Sequence, residues 1–317
     1  MKKQQLFVGL DGGGTKTLSV VVDSDGNELG KFVSTCSNYH SVGEEAAKRA
    51  IYESISEAVK KSGGSLEDVV EICLGISGVD RPEDIELVGG WIRSLLPNAQ
   101  YKIFNDAVVA LTSGTMGKLF GVVVISGTGC ISFGIDHHGN KTRSAGWGPA
   151  LGDDGSGYQI GFDVLKYVCM AKDETNDKTL LTQALLDKLQ VTKEEQLITW
   201  AYDPKNQGWH RVAELAPLAT ECALKGDKVA ISILDHHSSA LVKFIKSVFT
   251  KLNLLNEKEV PLVLAGGNIE RDCIFSDKLK EKLAKELPNA VPVYPKCTAG
   301  MGAALLALNT FKENKKE

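Results

Sequence analysis

The sequence predicts an α/β protein of two domains, each built on a mixed β-sheet, and three features predict it. The chain has 317 residues, too many for one ordinary core and few for three. Strand-like and helix-like segments alternate after an antiparallel start. A glycine-rich segment near the N-terminus returns 113 positions later without a gap: GTKTLSVVVDSDGN from Gly14 matches GTGCISFGIDHHGN from Gly127 at Gly14/Gly127, Thr15/Thr128, Ser19/Ser132, Asp23/Asp136, Gly26/Gly139 and Asn27/Asn140. Each copy reads as a strand, a Gly-Thr turn, a β-rich second strand and an Asp-x-x-Gly-Asn reversal into a third. One structural unit is carried twice.

The elements follow in order. The apolar run Leu6–Leu10 ends in Asp11, Gly12, Gly13 and Gly14, and the alternation in Leu18–Val22 is that of a half-buried strand. Ala46, Ala47, Ala50, Ile51, Ile55, Ala58 and Val59 form the stripe of an amphipathic helix that stops at Gly63-Gly64. A strand at Val69–Ile76 precedes a helix opened by Pro82 with Glu83 and Asp84. Tyr101–Phe104 then delivers Asn105 and Asp106 to the mouth of a third helix. The second copy starts at Phe120 and leads into AGWGPALGDDGSG (145–157), too glycine-rich for a helix. The text to Leu255 is largely helical. A strand at Val260–Ala265 ends in Gly266, Gly267 and Asn268, and Ala299-Gly300-Met301-Gly302 opens a small-residue helix, with a charged, fraying tail from Phe311. The expected domains are 1–117 and 118–301, the second carrying a helical insertion, with 302–317 packing back on the first.

Composition narrows the partners. Lys and Arg number 36 against 40 Asp and Glu, a net charge of −4, which argues against nucleic acid. Apolar stretches such as Phe120–Ile125 fall far short of the roughly 20 residues of a membrane span, and the interrupted N-terminal run is not that of an export signal. Seven scattered cysteines without a C-x-x-C pair fit reduced thiols in a cytoplasmic protein. The pairs His137-His138 and His236-His237 are adjacent in sequence and make no obvious metal site.

Gly12, Gly13, Gly14 and Thr15 let backbone N–H groups approach phosphate oxygens, with Thr15 and Thr17 adding hydroxyl donors and Lys16 a cation. The turn joins two strands and lacks G-x-x-x-x-G-K-[ST], so it is no Walker loop. Asp106 stands where a strand meets a helix, the place for a ligand group in an open α/β sheet and equally for a helix cap. Trp147 suits either a ligand or the core, and Asp153-Asp154 either a ligand or a cap for a helix near Ser156.

Taken in order, LDGGGTKT, STCSNYH around Asn38, FNDA at 104–107, ISGTG at 125–129, GWGPALGDDGSG and the late AGG at 265–267 resemble the actin, Hsp70 and sugar-kinase superfamily, and more narrowly its N-acetylglucosamine kinase and BadF/BadG-type ATPase group. The resemblance covers nearly the whole chain. It implies two actin-like, ribonuclease H-like domains with the nucleotide in the cleft between them, and ATP and Mg2+ as cofactors. It further implies transfer of the γ-phosphate to the primary hydroxyl of an amino sugar: N-acetylglucosamine, with N-acetylmuramic acid and then glucosamine behind it. An ATPase that activates a partner enzyme is the alternative. Asp106 takes the role of catalytic base and Asp11 stands near Mg2+ through water. Gly127, Thr128 and Gly129 join the first turn on the phosphates, while Gly266, Gly267, Asn268 and Gly300 border adenine and ribose. Asn38, Asn105, Asp106, Gly146, Trp147, Gly148 and Asp153 fall on the sugar. Two departures stand out: Cys222 where such kinases carry glycine against the nucleotide, and Asn105 where animal relatives have threonine. Of assembly the sequence says only that a homodimer is the common case.

Overall fold

The computed structural model describes residues 4–203 and 208–315. In chain order the elements are β1 (Leu6–Gly12), β2 (Thr17–Val22), β3 (Glu28–Ser34), α1 (Tyr39–Val42), α2 (Glu44–Lys61), β4 (Val69–Ile76), α3 (Pro82–Leu95), β5 (Gln100–Phe104) and α4 (Asp106–Thr115). After them come β6 (Gly121–Ser126), β7 (Cys130–Ile135), β8 (Lys141–Ala145), α5 (Gly157–Lys172), α6 (Leu181–Leu189), α7 (Gln196–Tyr202) and α8 (Trp209–Ala213). The rest are α9 (Ala216–Leu224), α10 (Lys228–Lys251), β9 (Val260–Ala265), α11 (Ile274–Glu286), β10 (Ala290–Val293) and α12 (Ala299–Asn314). Two compact units result, one of Met1–Gly121, His137–Gly139 and Pro295–Glu317, the other of Val122–Asp136 and Asn140–Tyr294.

The first unit holds a five-stranded sheet in the order β3-β2-β1-β4-β5. β1 runs antiparallel to β2, with Gly12 opposite Thr17, and parallel to β4, with Asp11 opposite Gly75. Because strand side chains alternate, Leu6, Val8 and Leu10 point to one face, into a core with Ile51, Ile55, Val88 and Ile92 of α2 and α3. Phe7 points to the other, packing with Val109 of α4 and Ala303, Ala304 and Ala307 of α12. Gly9 lies on that second face, where a Cβ would stand 2.0 Å from the Ala304 amide nitrogen. No other residue lets α12 rest on the sheet at this distance. α12 reaches Asn314, into the tail expected to fray: Phe311 meets the Phe7 ring edge-on at 5.2 Å, and this apolar contact holds the final turns.

The second sheet, β8-β7-β6-β9-β10 read from its β8 edge, has the same order. The duplicated reversals match atom for atom. Asp23 Oδ1 accepts the Asn27 N–H at 2.9 Å and Asp136 Oδ1 accepts the Asn140 N–H at 2.8 Å, while the asparagine amide of each donates back to the other carboxylate oxygen. Ser19 and Ser132 are both fully buried. Between β8 and β9 run α5 to α10, of which the longest, α10, packs on β7 and β8 and starts at an Asp227 cap that accepts the Ala230 N–H. Among the described residues no helix is long and apolar enough to cross a membrane.

Candidate active site

In the first unit β1 carries Asp11 and Gly12 to a turn closed by Gly13 N–H donating to Lys16 O at 2.9 Å. Gly14, Thr15 and Lys16 are exposed, and a Cβ on Gly14 would meet nothing within 4 Å, so the turn presents open backbone. Thr17 departs from expectation. It is fully buried and its hydroxyl donates to Thr35 O at 2.7 Å, which ties β2 to the segment after β3 and leaves no donor for phosphate. Gly12 is buried as well; its carbonyl accepts the Ser77 N–H at 2.8 Å, and a Cβ there would fall 2.4 Å from Ser37 Oγ, a buried hydroxyl without a hydrogen-bond partner.

Asn105, not Asp106, caps α4, its side chain accepting the Ala107 N–H at 3.0 Å. Asp106 is therefore the first helical residue, and its carboxylate accepts the Ser77 hydroxyl as well as sharing the Ala107 N–H. Burial raises the Asp106 pKa above the ordinary carboxylate range, the neighbouring Asp80 charge adds to that, and the Ser77 hydrogen bond opposes it. Asp11 is pushed up to about 6 by burial first and by the Asp106 charge second, with Lys16 pulling the other way. Asp106 raises Asp11 and Asp80 raises Asp106, a run of crowded carboxylates that a divalent cation would relieve. The donor set suits Mg2+, with Asp11 the residue to hold it.

Asn38 caps α1 by accepting the His40 N–H at 3.1 Å, and it sits against Gly78, where a Cβ would lie 3.2 Å from Asn38 Oδ1. The segment Ser77-Gly78 after β4 thus touches Gly12, Asn38 and Asp106 together. Gly300 lies in the first turn of α12, where a Cβ would meet Leu18 at 3.1 Å, so close packing on β2 already favours a glycine there.

In the second unit the turn after β6 is closed by Gly127 N–H donating to Gly129 O at 3.0 Å, with Thr128 and Gly129 exposed. Gly127 O accepts the Gly157 N–H at 2.7 Å and the Asn268 side-chain amide at 3.0 Å, and the same amide donates to Ser126 Oγ at 3.1 Å. Asn268 is therefore a brace between the β9 and β6 loops. Gly266 takes φ +92° with no room for a Cβ, 2.5 Å from Ser126 O. Gly267 and Asn268 line a cavity of about 130 Å3 with Thr220, Glu221 and Arg271. Cys222 turns away from it into the core, 1% exposed, so the neighbouring Glu221 is the residue that meets the cavity.

The 145–157 loop is folded around Asp153. This residue is 4% exposed, takes φ +64°, and accepts the Gly146 and Trp147 N–H groups on Oδ1 at 2.9 and 3.0 Å and that of Gly148 on Oδ2 at 3.1 Å. Ser156, not either aspartate, caps α5, accepting the Gln159 N–H. Trp147 is not a core residue: it is 67% exposed, with the Arg143 guanidinium 5.1 Å over its ring. Ser77, Asp80 and Ser126 were missed in the sequence. A signal existed, since Ile-Ser-Gly ends both β4 and β6 at 76–78 and 125–127.

Known proteins bear on both units. Residues 8–307 match the profile of the BadF/BadG/BcrA/BcrD ATPase family. An N-acetyl-D-glucosamine kinase of Dictyostelium discoideum is 54% identical over 317 residues, covering 98% of this chain and 99% of its own. An N-acetylmuramic acid/N-acetylglucosamine kinase of Clostridium acetobutylicum is 35% identical over 300 residues, 95% and 97% of the two chains. The crystal structure of a Chromobacterium violaceum protein, provisionally assigned as an N-acetylglucosamine kinase, superposes with a TM-score of 0.72 at 25% identity, covering 96% of this chain and 99% of that one.

Proposed function

This chain belongs to the BadF/BadG/BcrA/BcrD ATPase family, and we propose that it acts as an ATP-dependent amino-sugar kinase, moving the γ-phosphate of ATP to the primary hydroxyl of N-acetylglucosamine. The observation that carries the reading is Asp106, the first residue of α4 behind the Asn105 cap, on the Ser77 hydroxyl and beside Asp11 and the open Gly13–Lys16 turn. The names of the Dictyostelium and Clostridium relatives support the same class of substrate.

In this reaction Asp106 accepts the proton of the sugar hydroxyl as its oxygen forms a bond to the γ-phosphorus. The bond from that phosphorus to the bridging oxygen breaks, and ADP leaves with the electron pair. The raised Asp106 pKa makes it a better proton acceptor once ionised. In the first unit the backbone N–H groups of Gly14 and Thr15 serve phosphate, with Lys16 adding charge, while Gly13 spends its N–H on closing the turn; in the second unit Thr128 and Gly129 offer their own exposed turn. Thr17 acts only through the fold. Asp11 would hold Mg2+, which would supply further neutralisation of the phosphate charge. Gly267, Asn268 and Glu221 bound the adenosine side. For the sugar, the first unit offers Asn38, and the second offers the 146–148 backbone organised by Asp153, with Trp147 exposed in that same loop.

N-acetylmuramic acid is the second substrate, which links the enzyme to recovery of cell-wall sugars in a cytoplasmic setting. A coupled ADP-release screen over N-acetylglucosamine, N-acetylmuramic acid, glucosamine and glucose tests the proposal. Turnover is expected to be fastest on N-acetylglucosamine. No release above the sugar-free rate with any of the four would refute it.

A further inference from the structure

We propose that His237 is a positioning residue for sugar binding, holding the 146–157 loop in place through one backbone hydrogen bond. This rests on the kinase reading above for what the loop binds. His237 lies midway along α10 and is 1% exposed. Its Nδ1 accepts the Gly155 N–H at 3.0 Å. A ring nitrogen that accepts carries no proton, so the proton sits on Nε2. That nitrogen lies 3.2 Å from Asp163 Oδ2 on α5, off the line of a hydrogen bond yet close enough for the carboxylate to favour this tautomer. The Asp154 carboxylate and an imidazole nitrogen of His236 stand within 4.8 Å of each other and of His237, completing the charged surroundings.

Gly155 is shaped for this contact. It takes φ +93°, and a Cβ would fall 2.5 Å from Leu241 on the same helix as His237, so only glycine brings this amide to the imidazole. From there the bonds run on: Gly155 O accepts Ser126 Oγ at 2.5 Å, and Ser126 accepts Asn268, which also holds Gly127 O. Two residues before Gly155, Asp153 organises the three amides at 146–148. Packing alone asks for an apolar side chain at a site this buried; a histidine whose accepting nitrogen meets a loop amide serves orientation.

Two substitutions separate orientation from filling space. Asparagine places its amide oxygen where Nδ1 was, and glutamine places its own where Nε2 was. His237→Gln is expected to raise the KM for N-acetylglucosamine about tenfold, the loss from an unmet buried donor, while the KM for ATP stays within twofold. The Gly155 amide, followed by hydrogen exchange, is expected to exchange about tenfold faster. His237→Asn is expected to stay within threefold of the parent in both. Equal behaviour of the two variants, or parent-like exchange in His237→Gln, overturns the proposal. Should His237→Gln not fold, Asp163→Asn takes its place, with a sugar KM raised about threefold expected and an unchanged one contradicting. If the parent phosphorylates no amino sugar, the kinase reading falls, and the exchange measurement still decides the role of His237.

Discussion

Asn105 caps the helix that Asp106 begins, accepting the Ala107 N–H at 3.0 Å so that the adjacent carboxylate is left to meet the Ser77 hydroxyl. Removing the cap therefore acts twice. Asn105→Ala is expected to cost about 1 kcal/mol of stability and to lower kcat several-fold as Asp106 takes over the vacant cap. Asn105→Ser, which restores a capping oxygen, is expected to recover both. Thermal melts with steady-state kinetics check this; an unchanged kcat in Asn105→Ala would separate the cap from the chemistry.

The Ser77 hydroxyl opposes the burial that raises the Asp106 pKa. Ser77→Ala removes that opposition, so the carboxylate holds its proton to higher pH. The acid limb of the pH profile of kcat/KM is expected to move upward, with a larger loss at pH 6 than at pH 8. A limb that stays in place or moves to lower pH would contradict the assignment of Asp106 as base.

Asp11 carries a different pH signature. Its folded pKa of about 6 lies above the unfolded carboxylate value of about 3.9. The stability it contributes is full below the unfolded value and lost as pH rises through about 4 to 6, leaving an ionised, crowded carboxylate at neutral pH. Asp11→Asn is expected to abolish turnover and yet to raise Tm by a few degrees at pH 7.5, the gain kept small by partial solvent contact and fading near pH 4. Differential scanning fluorimetry at both pH values reads it directly. A lower Tm at pH 7.5 would show that the carboxylate supports the fold.

Asp153 joins loop geometry to sugar affinity. Alanine at this position loses the acceptor of three amides and sits poorly at φ +64°. A loss of about 2–3 kcal/mol in stability and a sugar KM raised at least tenfold are expected, with Asp153→Asn intermediate because asparagine tolerates the left-handed backbone and keeps one acceptor. An unchanged sugar KM would limit Asp153 to a structural part.

Much of this was legible in the sequence because it rests on local chemistry. The repeated Asp-x-x-Gly-Asn reversal declares itself through the asparagine and aspartate that close it, a continuous apolar run marks β1 and alternation marks β2. The glycine turns follow from the need for open backbone. What stayed hidden depends on tertiary direction. Nothing local says that Thr17 points inward to Thr35 while Thr15 points out, since both follow the same glycines. Which of Asn105 and Asp106 caps α4 is settled by one backbone step, and the exposed setting of Trp147 by a loop wound around Asp153. The tail from Phe311 reads as charged and loose because its partner, Phe7, lies at the far end of the chain.

The central claim, that Asp106 is the base of an amino-sugar kinase, is tested most directly by following phosphate transfer from Mg-ATP to N-acetylglucosamine by phosphorus NMR in the parent and in Asp106→Asn, with ATP affinity measured alongside. The account predicts N-acetylglucosamine 6-phosphate from the parent, a turnover lowered by roughly 100-fold or more in the variant, and ATP affinity within about threefold in both. Retention of most of the parent turnover by Asp106→Asn, or transfer to a hydroxyl other than the primary one, would contradict it.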